Sequence, residues 1–348
     1  MSFMKNSKRR AAGGDRRLTV LYSVPAPSRA SNPYTTMLAE GVARSANVEF
    51  FSWKTALLSR YDVLHVHWPE TMVRGKGRVT ELLRSLAGVL LLLRLSASKI
   101  KVVRTVHNLD AHEAGSLLEK FFVRRLETME SRRIYLNAYD VGMDAHDVVI
   151  PHGHYRSWEG YRPSLSAAEV SAGRANLLYF GGIRPYKGVE QLIEVYRSDT
   201  ARVLPELVVA GSSPDEALST ALRRLAQADG RVTLRLERVS DSDLSELIRR
   251  ADAVVLPYRK MYNSGALLLA LSLGTPVIVP DVPVNRALVS EFGEEWVCLV
   301  DSFSLETLSK AVEGFLAKPR PTGPDMSGRE WADAVDAHLG VYNDAVSA

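Results

Sequence analysis

Short apolar runs alternate with longer amphipathic segments along almost the whole chain. The runs are rich in β-branched and aromatic residues, which is typical of strands, and the segments between them are long enough for helices. Six runs lie in the first half: LTVLYSV (18–24), VEFFSW (48–53), YDVLHVH (61–67), KVVRTV (101–106), IYLNAY (134–139) and DVVI (147–150). This alternation predicts an α/β fold of parallel sheets with crossover helices.

A second series of runs follows residue 175: LLYFG, ELVVAG, RVTLRL, AVVL, PVIV and VCLV. Between the two series, PHGHYRSWEGYRPSLS (151–166) is rich in Pro, Gly and Ser and lacks periodicity, as a linker does. A chain of 348 residues also exceeds what one hydrophobic core usually supports. We therefore predict two doubly wound, Rossmann-like parallel-sheet domains facing across a cleft, with the functional residues just after strands.

Composition and charge narrow the classes of protein and partner. The single cysteine, Cys298, excludes a disulfide framework and a cysteine-based metal site, and a reducing cytoplasm is the simplest compartment. The net charge of +4 suits an anionic partner, but no zinc-finger spacing or RNA-binding signature points to nucleic acid. The longest apolar run, from Leu86, is broken by Arg94 and is too short to cross a bilayer.

Three basic segments raise the question of an anionic membrane surface. Residues 1–17 carry six cations against one acid with almost nothing to bury, so we predict a mobile basic arm. The helix candidates at 79–101 and 117–133 combine apolar faces with Arg and Lys. They could rest on anionic lipid as part of a peripheral membrane protein, or they could be core helices with solvated charged faces.

The stretch FGGIRPYKG, from Phe180, ends a strand and opens a helix. Its glycines permit a tight turn and close backbone approach, and Lys187 adds a mobile positive charge near a helix N-terminus, which itself attracts anions. A second stretch, LPYRKMYNSGALLLALSLGTPVIVP from Leu256, repeats the arrangement. There Asn263, Ser264 and Gly265 begin an apolar helix. Both stretches could equally be ordinary solvated turns and helix caps.

In order along the chain, GGIRPYKG, VVAGSS, DLSELIRRADAVVLPY and SGALLLALSLGTPVIVPDV resemble the donor-binding domain of GT-B glycosyltransferases. The resemblance covers residues 175 to about 300 well and the whole chain more loosely. It implies a first domain at 18–155, a nucleotide-sugar-binding domain at 156–327, and a C-terminal helix (328–348) that packs back on the first domain. It implies no metal or other cofactor, because GT-B folds do not need one, and it implies a nucleotide diphosphate sugar as the donor substrate.

The resemblance also implies donor-site roles. Lys187 and the amides of residues 264–266 would hold the diphosphate, and Lys187 would act catalytically by countering the charge of the leaving group. Residues 210–213 and 236–244 would line the nucleoside pocket. The predicted donor-binding residues are Gly182, Arg184, Lys187, Gly211, Ser212, Arg238, Val239, Tyr258, Asn263, Ser264, Gly265 and Ala266.

Two departures set this chain apart from the retaining branch of the family. Gly182 stands where that branch has an arginine, and Arg184 follows two positions later. Met261 and Leu269 stand where the branch has a pair of glutamates, so the ribose needs another partner, for which Tyr258 or Asn263 are candidates. The missing carboxylates favour inversion at the anomeric carbon.

An inverting transferase needs a base for the acceptor hydroxyl, and we expect that base in the first domain. The stretch HNLDAHE offers Glu113 as first choice, then Asp110 and His107, with Glu70 from HVHWPE last. HNLDAHE also resembles a stretch found in exopolysaccharide mannosyltransferases. The histidine spacing matches no standard metal site. The predicted acceptor-binding residues are Asn32, Tyr34, His67, Trp68, Glu70, Asn108, His152 and His154.

These observations predict a hexosyltransferase of bacterial exopolysaccharide or glycolipid biosynthesis. The first choice of donor is GDP-mannose and the second is UDP-glucose; the acceptor would be a glycan or a lipid-linked sugar. Two other functions stay open at this point, a nucleotide-sugar epimerase of the same fold and a catalytically silent sugar-nucleotide binding protein.

Overall fold

Two six-stranded parallel sheets surrounded by helices form the core of the protein in a computed structural model. The structure describes residues 16–28, 31–75, 77–107, 115–139, 144–158, 160–162, 176–317 and 323–348. The predicted α/β class with two doubly wound sheets is confirmed.

The first sheet has the strand order β2-β1-β3-β4-β5-β6. Its strands are β1 (Thr19–Tyr22), β2 (Asn47–Phe50), β3 (Val63–Val66), β4 (Lys101–Val106), β5 (Glu130–Tyr135) and β6 (Asp147–Val149). The helices in this part of the chain are α1 (Pro33–Val42), α2 (Trp53–Leu58), α3 (Pro69–Val73), α4 (Arg78–Ser96) and α5 (Leu117–Glu127). Every residue of β3 is buried, as expected for a parallel strand covered on both faces.

Local sequence signals fix where the helices around this sheet begin. The Asn32 side chain accepts the amide of Tyr34 at 2.9 Å, and Pro33 occupies the first turn of α1. Ser52 and Ser116 cap α2 and α5 in the same way. Each cap satisfies an amide that the helix itself leaves without an acceptor.

The second sheet has the order β12-β11-β10-β7-β8-β9. Its strands are β7 (Asn176–Phe180), β8 (Glu206–Ala210), β9 (Val232–Arg235), β10 (Ala253–Val255), β11 (Val277–Pro280) and β12 (Val297–Val300). The helices are α6 (Val189–Ser198), α7 (Glu216–Ala226), α8 (Asp241–Arg250), α9 (Gly265–Ser272), α10 (Pro283–Phe292), α11 (Leu305–Leu316) and α12 (Trp331–Ser347).

Both sheets reverse their strand order at one point. In the first sheet the reversal falls between β1 and β3, and in the second between β7 and β10. Ligands of open parallel sheets bind beyond the carboxyl ends of the strands at such a reversal. In each sheet, this rule indicates one place for a site.

The chain divides into two compact units. One comprises residues 1–105, 111–133 and 335–348, and the other comprises 106–110 and 134–334. The first unit thus includes most of α12. Across the described residues, no helix has the length and apolarity needed to span a bilayer.

Candidate functional site

Two glycine turns meet at the carboxyl ends of β7 and β8. The backbone amide of Ile183 donates to the carbonyl of Ser212 at 2.9 Å, which joins the turns. Gly211 has a φ of +153°, and a Cβ built on it would lie 2.0 Å from the carbonyl oxygen of Gly181. Only glycine tolerates both that φ and that approach, so the turn itself requires a glycine directly after β8.

The turn after β7 is also locked to the loop after β10. Residues Pro185–Lys187 form a short 3-10 helix that ends at Gly188, whose φ is +69°. A Cβ at Gly188 would lie 2.1 Å from the carbonyl oxygen of Pro257, and the amide of Arg259 donates to the carbonyl of Tyr186 at 2.8 Å. The two motifs that the sequence singled out are therefore in direct contact at the point where the strand order reverses.

Lys187 lies inside this junction rather than in solvent. Its Nζ sits 4.9 Å from the centre of the Tyr258 ring, a cation–π distance. Burial lowers the pKa of Lys187 below the usual lysine value; Tyr186 opposes this and Arg184 adds to it. In the described part of the chain, no carboxylate forms an ion pair with Lys187. A partly buried cation without a counter-ion is suited to an anionic ligand.

The N-terminus of α9 faces the same junction. Ser264 caps the helix by accepting the amide of Leu267 at 3.2 Å, so the cap does not use the amides of Gly265 and Ala266. Amides in the first turn of a helix have no intrahelical acceptor and bind anions. Tyr258 is 7% exposed, and its burial raises the pKa of the phenol, an effect that Ser264 opposes.

The other predicted donor residues are placed less centrally. Arg184 is half-buried, and its guanidinium makes a 3.4 Å contact with the carbonyl of Ile183. Arg238 is exposed and Val239 half-buried in the loop between β9 and α8. The side-chain oxygen of Asn263 already has a partner within the protein, because it accepts a hydrogen bond from Asn137 Nδ2 at 2.9 Å.

A cavity of about 310 Å³ opens where the first sheet reverses its strand order, beyond β1 and β3. Its lining combines hydroxyl groups, a carboxamide and an aromatic surface, which is the chemistry that binds sugars. The residues around it are Ser23, Val24, Pro25, Pro27, Ser28, Ser31, Asn32, Thr35, Thr36, Phe50, Trp68 and Thr71. Two predicted acceptor residues, Asn32 and Trp68, are among them.

The histidine of β3 and the histidine just after it belong to a buried aromatic cluster. His65 Nδ1 is 2.7 Å from the Tyr342 hydroxyl, which is 3.1 Å from the Tyr22 hydroxyl. The His67 ring stacks on Tyr22 at 5.6 Å and 20°. Burial, with a smaller contribution from His338, lowers the pKa of His67 to about 3. The predicted acceptor residue His67 is thus held neutral within the first unit.

His152 and His154 are both buried at the start of the segment 151–166. Burial lowers the pKa of His152 to about 4. His154 Nε2 lies 3.0 Å from the Glu330 carboxylate, and its carbonyl accepts Trp331 Nε1 at 2.6 Å. The contact with Glu330 gives the His154 imidazole a structural role; the predicted role of His152 and His154 in acceptor binding stays a prediction.

The comparisons with known proteins decide the family. The protein-family model described as "Glycosyl transferases group 1" matches residues 174–318. A GDP-mannose:glycolipid 4-beta-D-mannosyltransferase from Xanthomonas campestris pv. campestris is 37% identical over 331 residues, covering 95% of this chain and 93% of the relative. The chain belongs to the GT-B glycosyltransferases.

Solved structures agree on the fold of this glycosyltransferase. A sucrose-phosphate synthase from Thermosynechococcus elongatus has a TM-score of 0.64 at 18% identity, covering 94% of this chain and 97% of its own. HepE from Anabaena in complex with UDP-glucose has a TM-score of 0.63 at 13% identity, covering 95% and 99%. The predicted family resemblance is confirmed.

The two positions at which the retaining branch of the family has glutamates are filled differently in this glycosyltransferase. Met261 Sδ accepts from Asn285 Nδ2 at 3.3 Å, and the same carboxamide donates to the Pro280 carbonyl at 2.8 Å. Asn285 is fully buried, and Leu269 is 8% exposed within α9. Neither a thioether nor an isobutyl group can accept two ribose hydroxyls as a carboxylate would.

Of the four predicted bases, His107 and Glu70 lie among the described residues. His107 directly follows β4 and is half-buried, and its carbonyl accepts a hydrogen bond from Asn263 Nδ2 at 3.4 Å. Glu70 is half-buried in α3. Glu113, Asp110 and Asn108 lie outside the described residues, so their roles stay predictions. Within the described ranges, no three His, Cys, Asp or Glu side chains are grouped so as to hold a metal ion.

Sequence reasoning missed Tyr155 and Tyr342. Tyr155 is buried, its amide donates to Ser272 Oγ at 2.9 Å, and its hydroxyl lies 2.9 Å from the Cβ that a side chain at Gly265 would carry. It therefore supports the N-terminus of α9 from behind. Its place directly after HGH was the only signal in the sequence.

Proposed function

We propose that this glycosyltransferase transfers mannose from GDP-mannose to a glycolipid with inversion of the anomeric centre. The observation that carries the donor and acceptor is the 37% identity, over nearly the full length of both chains, to an enzyme named as a GDP-mannose:glycolipid 4-beta-D-mannosyltransferase. UDP-glucose is the second candidate donor.

In the proposed reaction, the junction between the two glycine motifs holds the diphosphate. Negative charge develops on the diphosphate as its bond to the anomeric carbon breaks. The Lys187 ammonium and the free amides of Gly265 and Ala266 are oriented before the reaction, so they stabilise that charge without reorganising. The low polarity around Lys187 strengthens this interaction relative to an exposed lysine.

Inversion is supported by the product linkage of the relative and by the residues of this chain. GDP-mannose holds its mannose as the α-anomer, so a β-linked product requires attack from the opposite face. Met261 and Leu269 leave no carboxylate at the positions that the retaining branch uses. An inverting enzyme instead needs one base for the acceptor hydroxyl, and the candidates are Glu113, Asp110, His107 and Glu70.

For the acceptor we propose the cavity beyond β1 and β3. Trp68 offers an aromatic face for a sugar ring, and the surrounding serine and threonine hydroxyls offer hydrogen bonds to sugar hydroxyls. The charge of the leaving group is countered by Lys187 and helix amides, so we also propose that transfer needs no metal ion. Turnover that persists in excess EDTA is the expected result.

A thermal-shift screen of GDP, UDP, GDP-mannose and UDP-glucose tests the donor. We expect GDP-mannose to raise the melting temperature most. Lys187→Ala should lower the affinity for GDP-mannose at least tenfold, since it removes the buried cation at the junction proposed to hold the diphosphate. Lys310→Ala, which removes an exposed lysine of α11, is the matched control and should leave the shift unchanged.

Four results would contradict parts of the proposal separately. A shift with UDP nucleotides alone would replace the donor. An unchanged shift in Lys187→Ala would remove the diphosphate assignment. With GDP-mannose and lipid-linked acceptors, an α-linked product in the NMR spectrum would exclude inversion, and conversion of the sugar nucleotide without any acceptor would indicate an epimerase instead.

A further inference from the structure

Helix α4 is apolar on two faces. Its inner face packs into the first unit through Leu91, Leu92 and Leu95, each at most 6% exposed. Its outer face carries seven large aliphatic side chains that are 41% to 73% exposed: Val79, Leu82, Leu83, Leu86, Val89, Leu90 and Leu93. A surface helix normally has a polar outer face, so a continuous apolar stripe over four turns indicates a partner.

The neighbouring helix α5 has the same property at its N-terminal end. Leu117, Leu118 and Phe121 are 48% to 84% exposed. The two helices pack closely, since a Cβ on Gly88 would lie 3.0 Å from the Phe122 ring. We call the ten exposed apolar residues of both helices the α4–α5 apolar surface.

The exposed charges of these two helices are mostly positive; the one exposed acid, Glu127 at the end of α5, is paired with Arg104. Arg78 begins α4 and Lys99 follows its end, and both are exposed. On α5, Lys120, Arg124 and Arg125 are exposed. The only acid of α4, Glu81, projects away from the stripe, because it falls about 140° round the helix from the stripe's mean direction.

We infer that the α4–α5 apolar surface docks on an anionic lipid bilayer. Helices that lie in the plane of a membrane bury large aliphatic and aromatic side chains in the acyl boundary and place Lys and Arg among the anionic headgroups. Both halves of that requirement are met here. α4 rests on the bilayer and does not cross it, consistent with the absence of a spanning helix in the described chain.

The same charges disfavour a second copy of the chain as the partner. In a symmetric contact, the same surface of each copy faces the other. Such a contact would bring the five cations beside the stripe close to their five counterparts, and the one exposed acid of the two helices, Glu127, is already paired with Arg104. An anionic lipid surface would instead attract these cations.

Docking on lipid is inferred from the exposed residues of α4 and α5 alone. Its benefit for catalysis rests on the proposed function, because docking would bring the first unit to the layer in which a glycolipid acceptor resides. The two ideas can fail independently. Vesicle binding is measured without any sugar nucleotide, and the GDP-mannose thermal shift is measured without lipid.

Vesicle flotation provides the first test, with vesicles of phosphatidylcholine alone or with about 30% phosphatidylglycerol. We expect the protein to bind the anionic vesicles and not the neutral ones. The triple variant Leu83→Gln/Leu86→Gln/Leu90→Gln should bind at least tenfold more weakly, because three side chains lose their apolar burial. A control triple variant, Val203→Gln/Leu316→Gln/Val346→Gln, alters exposed apolar residues elsewhere and should bind as the unmodified protein does.

A labelling experiment does not depend on how the triple variant behaves. Cys298 is the only cysteine, so Cys298→Ser/Leu86→Cys carries one environment-sensitive fluorophore on the stripe. Its emission should shift to the blue with anionic vesicles, whereas a fluorophore at Val203→Cys in the same background should not change.

Three results would overturn the inference. The first is equal vesicle binding by the unmodified protein and the stripe variant. The second is an unchanged emission at position 86 while the protein is bound to vesicles. The third is a dimer in light scattering that the stripe variant abolishes, with no vesicle binding, which would assign the surface to a second copy of the chain.

Discussion

His67 should make the stability of the protein depend on pH between neutrality and mild acid. The imidazole is 2% exposed, stacks on Tyr22, and has a pKa lowered to about 3 mainly by burial. In the unfolded chain the same group titrates near pH 6.5. Between these values, the unfolded state binds a proton that the folded state does not. Acidification therefore favours unfolding, and stability is recovered as the pH rises above about 6.5.

The size of the effect follows from the two pKa values. Each pH unit of acidification over which only the unfolded state is protonated lowers the free energy of unfolding by about 1.4 kcal/mol. From pH 7 to pH 5, the unfolded group passes through its own titration, so His67 lowers the free energy of unfolding by about 2 kcal/mol. This figure changes little for any folded pKa below about 4, because the folded state then stays neutral over the whole interval.

The assay compares the unmodified protein with His67→Phe, which keeps an aromatic ring against Tyr22 and removes the titration. Urea unfolding gives the free energy of unfolding of each protein at pH 7 and pH 5. All other histidines are present in both proteins. Subtracting the loss of unfolding free energy between pH 7 and pH 5 in the variant from that in the unmodified protein therefore isolates the contribution of His67. The unmodified protein should lose about 2 kcal/mol more than the variant. Equal losses would refute the argument that burial holds this imidazole neutral.

Three further substitutions probe the turn, the buried cluster and the cavity. Gly211→Ala should destabilise the protein by about 3 kcal/mol in urea unfolding, since its φ and contact with Gly181 exclude a Cβ; Gly230→Ala, where a Cβ meets nothing within 4 Å, is the control. Tyr342→Phe should cost about 2 kcal/mol by the same measurement, because it takes a partner from two buried groups. Trp68→Ala should raise KM for the acceptor severalfold and leave the GDP-mannose thermal shift unchanged; a lost shift would contradict its assignment to the acceptor cavity.

The sheets and the donor junction could be predicted because their signals are local. Buried parallel strands are continuous apolar runs. Residues 180–188 contain a strand end, a glycine turn and a helix start within a few positions, and residues 255–266 contain a strand end and a helix start. Even so, the sequence does not show that Pro257 touches Gly188, since 69 residues separate them and only the strand order brings β7 beside β10.

The histidines were harder to interpret, because their role depends on distant residues. HVH after a strand was consistent with acceptor binding, but His65 bonds to Tyr342, which is 277 positions away. The cavity beyond β1 and β3 is equally hard to predict from sequence, since the residues that line it come from the segment after β1, the end of β2 and the segment after β3. Trp68 and Asn32 could be named as candidates from their place after strands. His67 could not be recognised as buried without the helix that covers its cluster.

The return of residues 335–348 to the first unit has a consequence for synthesis on the ribosome. At about 5–20 residues per second, the 277 positions between His65 and Tyr342 take roughly 15 to 55 s to translate. Until then His65 and Tyr22 lack the hydroxyl of Tyr342. All residues of the other unit, which ends at Ala334, emerge earlier. The first unit, which contains the N-terminal part of the chain, is therefore the last of the two units to have all of its residues synthesised.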